Sequence, residues 1–141
     1  MKRSRMWALL ALGWMAAQGA EGARASKPEV RKAVVDTIEG QLAAFRAGDG
    51  KAAYEFAATA FRMQTPRRQF EIIVQGNYPE IWANTRAEFG LVRDDGTRAT
   101  VVVQVYARDG GASYDYGLIK EREGWRVESV LRHAPKKSDK V

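Results

Sequence analysis

The sequence predicts an α+β fold in which three helices pack across one face of a curved, four-stranded antiparallel sheet. Before Trp82, apolar residues recur every three or four positions, which is the period of an amphipathic helix. After Trp82 they alternate, which is the period of a half-buried strand. Because each element shows one apolar side, the helices and the sheet can bury these sides only against each other.

Capping and breaking residues bound the three predicted helices. The first begins near Ser26 and Pro28 and ends at Gly48. Its apolar stripe consists of Val30, Val34, Ile38, Leu42 and Phe45. The second covers residues 50–58, with Asp49 as its cap, and Tyr54 is available for burial. The third opens at Thr65-Pro66 and ends at Gln75, because Gly76 and the Tyr78-Pro79 pair stop it.

Four strands are predicted in the second half, at residues 86–93, 98–108, 113–122 and 125–133. The turn sequences between them are Asp94-Asp95-Gly96, Asp109-Gly110-Gly111 and Glu123-Gly124. These turns are short enough for hairpins only, so consecutive strands should be antiparallel neighbours. Trp125 follows the last turn on an apolar strand face, which predicts a core position.

The first 25 residues predict an export signal. Lys2, Arg3 and Arg5 precede an apolar run from Met6 to Ala17, and Ala23-Arg24-Ala25 supplies a small-x-small cleavage pattern. The run is shorter than the roughly 20 apolar residues that span a bilayer, so no stable membrane anchor is expected after cleavage. Residues 1–25 are therefore predicted as a signal peptide, residues 26–135 as a single domain and residues 136–141 as a flexible basic tail. The mature protein is predicted to be periplasmic or secreted.

Composition disfavours several functional classes. The chain has 23 basic and 17 acidic residues, but residues 1–25 contribute four of the basic residues and one of the acidic. Much of the remaining positive charge lies in the tail, so nucleic-acid binding is not expected. The absence of cysteine excludes disulfides, a thiol nucleophile and a thiolate metal site. One hydrophobic core suits a chain of this length.

Several residues, in order, carry a family resemblance. They are Ile38, Gln41, Ala44-Phe45, Asp49, Ala53 and Phe56, then Thr65-Pro66, Phe70, Val74, Gly76 and Tyr78-Pro79, and finally Gly124-Trp125-Arg126-Val127. On these residues the chain resembles the bacterial domain of unknown function 4864 family from about Val30 to Leu131. That family is similar to the nuclear-transport-factor-2-like, or SnoaL-like, superfamily. The resemblance implies a cone-shaped α+β roll with a pocket between the first helix and the sheet, and no particular activity.

Tyr114, Asp115 and Tyr116 are the most suggestive residues for chemistry. Strand alternation sends the two tyrosines to one face and Asp115 to the other. Burial of Asp115 in the cone would raise its pKa and make it a usable base beside Tyr114. The tyrosines alternate with Leu118, however, so the inner face is expected to be theirs and Asp115 is expected outside.

The other polar candidates are expected to have structural or solvated roles. His133, the only histidine, ends the last strand, and no cofactor or metal site is expected. Asp36 and Glu39 fall off the apolar stripe. Arg67 and Arg68 open the third helix, where an anion site competes with simple solvation. Gln104 and Tyr106 alternate with the valines of the second strand, on either sheet face.

The leading functional hypothesis is an exported, non-catalytic module that binds a small apolar or amphipathic ligand, or a partner protein. The expected ligand-binding residues are Tyr54, Tyr114, Tyr116 and Trp82. One alternative is an enzyme of the isomerase or dehydratase kind that uses Asp115 with Tyr114 or Tyr116. Another is a homodimer formed sheet to sheet through a mixed outer face.

Overall fold

The computed structural model of the protein describes residues 22–133, which form five helices and six strands. The helices are α1 (Pro28–Arg46), α2 (Gly50–Glu55), α3 (Thr59–Gln64), α4 (Arg67–Asn77) and α5 (Pro79–Trp82). The strands are β1 (Arg24–Ala25), β2 (Asn84–Phe89), β3 (Arg93–Asp94), β4 (Arg98–Ala107), β5 (Gly110–Glu121) and β6 (Gly124–Arg132). Most of the predicted signal peptide and all of the predicted basic tail lie outside the described residues.

The strands form one sheet in which every pair of neighbours is antiparallel. β4, β5 and β6 are joined by two hairpins and lie side by side, whereas β2 and β3 pair with different parts of β4. β1 adds to the outside of β3. The α+β class and the antiparallel hairpins predicted from the alternating pattern are confirmed.

The helices cover one face of this sheet, which we call the inner face. Val34, Ile38 and Leu42 of α1 have no exposed surface, as the apolar stripe predicts. They share one core with the inward side chains of the sheet, among them Tyr114 and Tyr116. The end of α1 is also as predicted, since Gly48 has a φ of 70° and the next helix begins with the Asp49 carboxylate accepting from the Ala52 N–H over 3.0 Å.

The prediction of one helix over residues 50–58 was wrong, because this segment and the residues after it form two helices, α2 and α3. Residues 56–58 leave the helical path to bond β6. The Val127 N–H donates to the Phe56 carbonyl and the Ala58 N–H donates to the Val127 carbonyl, each over 2.8 Å. This contact with a distant strand interrupts the helix, and no local glycine or proline marks it.

Two further boundaries differ from prediction. The first predicted strand, residues 86–93, is divided into β2 and β3. At the break the Gly90 N–H donates to the Val102 carbonyl over 2.8 Å, and Val92 turns into the core. Pro79, predicted only to stop a helix, also starts α5, because proline is tolerated in the first turn.

β1 lies immediately before the predicted signal-peptide cleavage point. Arg24 pairs with Asp94 and Ala25 with Arg93, and the Ser26 hydroxyl donates to the Asp94 carboxylate. Cleavage after Ala25 would therefore remove β1 from the edge of β3. Within residues 22–133, no helix is both long and apolar enough to cross a membrane.

Candidate functional site

An apolar cavity of about 40 Å³ lies between the helices and the inner face of the sheet. The helical half of the chain supplies Gln41, Phe45, Ala57, Phe61, Phe70, Ile73, Val74, Tyr78 and Ile81, and the sheet supplies Tyr116, Val127 and Val130. None of these lining residues carries a formal charge at neutral pH. The family resemblance implies a pocket between the first helix and the sheet, and the cavity lies in that region.

Aromatic rings build the helical wall of the cavity around Phe70. The centroid of the Phe70 ring lies 5.9 Å from that of Phe45, 5.9 Å from that of Phe61 and 5.4 Å from that of Tyr54. These distances fall in the range of favourable aromatic pairs. Because α1, α3 and α4 each contribute a phenylalanine ring to the lining, and Tyr54 of α2 packs on Phe70 from outside it, the wall depends on the helices staying together.

Three polar side chains line the cavity, and two of them have a backbone partner. The Gln41 amide nitrogen donates to the Ala53 carbonyl over 3.1 Å, and the Tyr78 hydroxyl donates to the Val130 carbonyl over 3.2 Å. Tyr116 is 1% exposed, and its hydroxyl has no hydrogen-bond partner among the residues that the structure describes. Tyr116 is therefore the polar lining residue whose hydroxyl donates to no other residue within 22–133.

Both tyrosines of the cavity are neutral at physiological pH. Burial disfavours the charged phenolate, so it raises the pKa of Tyr78 to about 12. Burial likewise raises the pKa of Tyr116, which is more deeply enclosed, far above its ordinary value. Neither side chain can therefore serve as a base near pH 7, and both keep their hydroxyl hydrogens for donation.

One end of the cavity faces solvent. Phe61, Ile73 and Tyr78 are half-buried, whereas the other lining residues are buried. Ile72, next to Ile73 on α4, is 62% exposed. The cavity thus opens beside α3 and α4 and closes toward the sheet, where Tyr116 lies.

A second polar cluster joins α5 to β5 and β6. The Tyr114 hydroxyl donates to Glu80 Oε1 over 2.6 Å, and Arg132 donates to both carboxylate oxygens over 3.2 and 2.8 Å. The Arg132 hydrogen bonds, with a further contribution from Tyr114, lower the pKa of Glu80 to about 2. Tyr114 is therefore committed to Glu80 and is not among the residues that line the cavity.

The other two predicted ligand-binding residues also lie outside the cavity lining. The Tyr54 hydroxyl donates to the backbone carbonyls of Arg62 and Thr65 over 2.9 and 2.7 Å. Trp82 packs against Phe45, with ring centroids 5.8 Å apart. Of the four residues expected from the sequence, Tyr116 alone lines the cavity.

Asp115 lies on the outer face of the sheet, opposite the two buried tyrosines. Its Oδ1 atom is 2.8 Å from Nε2 of His133, and both side chains are partly exposed. The pair lies on an exposed surface, so it does not form an acid and a base that face each other in a closed site. The arrangement required by the isomerase or dehydratase alternative, with Asp115 inside the cone, is not formed.

The remaining polar candidates make surface contacts. Asp36 pairs with Lys32 over 2.7 Å, Glu39 pairs with Arg46, and Arg67 lies 3.5 Å from Glu71. On the outer sheet face, Tyr106 donates to Glu88 and Gln104 accepts from Ser113. Arg68 of α4 is exposed. Trp125 is buried, as its predicted core position requires. Residues 22–133 contain no cluster of acidic or histidine side chains that could hold a metal ion.

Sequence reasoning missed Gln41, Phe61 and Tyr78 as parts of the site. Gln41 follows Ile38 by three positions, so helical spacing places its amide on the apolar stripe. A polar residue on such a stripe is the available signal for a lined cavity. Tyr78 offers no such signal, because its place beside Pro79 indicates the end of a helix and not a cavity.

Comparison with known families gives one decisive result. The profile of DUF4864, a domain of unknown function, matches residues 27–139. The chain belongs to this family. The match contains α1 to α5 and β2 to β6, so every lining residue of the cavity lies within the DUF4864 region.

A solved structure is similar to this DUF4864 domain in fold. It is the crystal structure of a domain of unknown function with a cystatin-like fold from Nostoc punctiforme PCC 73102, with 16% sequence identity and a TM-score of 0.55. The alignment covers 82% of this chain and 83% of the other. At this identity the likeness concerns the fold. Comparison with curated proteins gives no match.

Proposed function

We propose that this DUF4864 protein is an exported, non-catalytic module that binds a small, uncharged apolar or amphipathic ligand in the cavity. The observation that carries the proposal is an apolar cavity between the helices and the inner face of the sheet, with half-buried residues at one end. Concave, mostly apolar sites with a few polar groups are typical of small-molecule binding. Export rests on the sequence of residues 1–25.

The lining favours an uncharged ligand. A charged group buried without a counter-ion is strongly disfavoured, and no lining residue supplies one. Glu80 and Arg132 neutralise each other and lie outside the lining. A carboxylate or ammonium ligand would therefore have to keep its charge at the mouth, in water.

The volume favours partial insertion. A cavity of about 40 Å³ is much smaller than the engineered cavity of about 150 Å³ that holds benzene. The buried part of the ligand is thus a group of a few atoms, and the remainder lies against the half-buried Phe61, Ile73 and Tyr78. A flexible chain with a small terminal group has this shape.

The proposal can be tested by titrating the protein with methyl butyl ketone and with the hexanoate anion, followed by backbone amide NMR. We expect the ketone to shift amides around the cavity and hexanoate to shift them weakly. Val74→Leu adds one methylene group to the lining and should weaken ketone binding, whereas Val35→Leu makes the same addition on α1 outside the lining. Equal binding by both variants would contradict a site in the cavity.

The same protein, purified from the periplasm of a bacterial host, can be examined by native mass spectrometry. A discrete added mass that disappears on denaturation would support a retained ligand. An enzyme reaction through Asp115 receives no support from the structure, because Asp115 lies on the outer face beside His133.

A further inference from the structure

We propose that the Tyr116 hydroxyl donates the hydrogen bond that selects the ligand, so that the ligand carries an uncharged acceptor such as a ketone, ester or ether oxygen on its buried end. This inference deepens the proposed function and rests on it. On this proposal, the Tyr116 hydroxyl makes the protein bind a molecule with a terminal oxygen acceptor more tightly than a hydrocarbon of the same shape.

The position of Tyr116 is fixed by the sheet. It lies on β5 between Val101 of β4 and Val130 of β6, and it is packed in the core with 1% of its surface exposed. It is one of the residues that line the cavity. The hydroxyl oxygen itself has almost no accessible surface, so an acceptor reaches it only when neighbouring lining side chains move apart.

The other two polar lining side chains each donate to a backbone carbonyl. The Tyr78 hydroxyl donates to the Val130 carbonyl, and one N–H of the Gln41 amide donates to the Ala53 carbonyl. The Tyr116 hydroxyl has no partner within the described residues. A buried donor without an acceptor lowers stability, and phenylalanine would fill the same space without that loss. A ligand acceptor explains why a tyrosine is useful here.

The chemistry of a phenol favours donation over acceptance. The oxygen lone pair is partly delocalised into the ring, so the hydroxyl is a better donor than acceptor. A ligand that donated to Tyr116 would still leave the phenol hydrogen unsatisfied. One acceptor atom on an otherwise apolar group satisfies it completely.

The test compares methyl butyl ketone with its alkene isostere, in which a methylene group replaces the carbonyl oxygen, on the wild-type chain and on Tyr116→Phe. Both ligands have the same shape, and both proteins keep the ring. We expect Tyr116→Phe to weaken ketone binding about five- to tenfold and to change alkene binding by less than about twofold.

Tyr78→Phe is the matched control, because it removes a lining hydroxyl that already has a partner. It should not change the ratio of ketone to alkene affinity. If Tyr116→Phe leaves the ketone affinity unchanged while both ligands bind in the cavity, the role of Tyr116 is wrong and the proposed function stands. If neither ligand binds the wild-type chain, the proposed function itself fails.

A second measurement needs no variant. The infrared carbonyl stretch of the bound ketone on the wild-type chain should move to lower frequency than in a hydrocarbon solvent, as a hydrogen bond requires. A stretch at the hydrocarbon position would overturn the proposal even if Tyr116→Phe failed to fold.

Discussion

The Tyr114 hydroxyl donates to the Glu80 carboxylate over 2.6 Å, whereas Tyr116, two residues along the same face of β5, has a hydroxyl without a partner in residues 22–133. Both rings are almost completely buried. The two phenols therefore have opposite energetic roles. One closes a network that holds α5 to the sheet, and the other makes no hydrogen bond to any residue within 22–133.

The first prediction follows from this contrast. Tyr114→Phe should lower the free energy of unfolding by about 1–2 kcal/mol, because it removes a hydrogen bond to a charged acceptor. Tyr116→Phe, the matched variant, should leave stability unchanged or raise it by up to about 1 kcal/mol. Urea unfolding of the ligand-free proteins measures both. A larger loss for Tyr116→Phe than for Tyr114→Phe would contradict the assignment of the two hydroxyls.

The second prediction concerns acid stability. The folded protein lowers the pKa of Glu80 from an ordinary 4.5 to about 2. The ionised carboxylate therefore stabilises the fold above pH 4.5, and this contribution is lost as the pH falls toward 2. Glu80→Gln should be less stable than wild type at pH 7. At pH 3 the difference in unfolding free energy between the two proteins should be smaller by about 1 kcal/mol. The change is of modest size because Arg132 is exposed and water partly screens its charge.

Glu88→Gln is the control for this experiment. Glu88 also pairs with an arginine, Arg86, but both lie exposed on the outer face. Its removal should change stability little at either pH. Chemical unfolding at pH 3 and pH 7 measures the free energy of unfolding of each variant. If Glu80→Gln differs from wild type by the same amount at both pH values, the ionised Glu80 carboxylate does not stabilise the fold.

The third prediction uses two helical glycines. A Cβ atom on Gly40 of α1 would lie 2.7 Å from two ring atoms of Phe56, whereas one on Gly76 of α4 would have nothing within 4 Å. Gly40→Ala should therefore destabilise the protein by about 1–3 kcal/mol, because the half-buried ring must shift. Gly76→Ala should be neutral or stabilise by up to about 1 kcal/mol. Thermal unfolding of the pair decides whether Phe56 is held against α1.

The fourth prediction concerns the amino terminus. The sequence predicts that the exported protein begins at Ser26, which the intact mass of the periplasmic protein measures directly. A chain that begins at Ser26 lacks β1, so we expect it to be about 1–2 kcal/mol less stable than a chain that begins at Gly22. Equal unfolding free energies would show that β1 contributes little to β3.

Local patterns were sufficient for most of the fold. The stripe through Val34, Ile38 and Leu42 placed α1 in the core, and the alternation around Tyr114 and Tyr116 placed both rings on the inner face. The split between α2 and α3 was not predictable in this way. It depends on the hydrogen bonds that Val127 makes with Phe56 and Ala58. Val127 is separated from these two residues by about half of the chain.

The candidate site was less predictable than the fold. The sequence predicts Tyr54 and Tyr114 as ligand-binding residues, yet both hydroxyls already have hydrogen-bond partners. Tyr54 donates to two backbone carbonyls, and Tyr114 donates to Glu80. Which phenol keeps a free donor depends on partners that are distant in sequence. The pattern of apolar and polar residues carries no information about that choice.

The contact between residues 56–58 and Val127 limits how two copies of the chain can associate. The Val127 N–H and carbonyl, which point away from β5, are already bonded to Phe56 and Ala58. An incoming strand from a second copy cannot use these groups, so edge-to-edge extension of the sheet is blocked at this point of β6. Edge-to-edge pairing of two copies through β6 would therefore first have to break the contact of Val127 with residues 56–58.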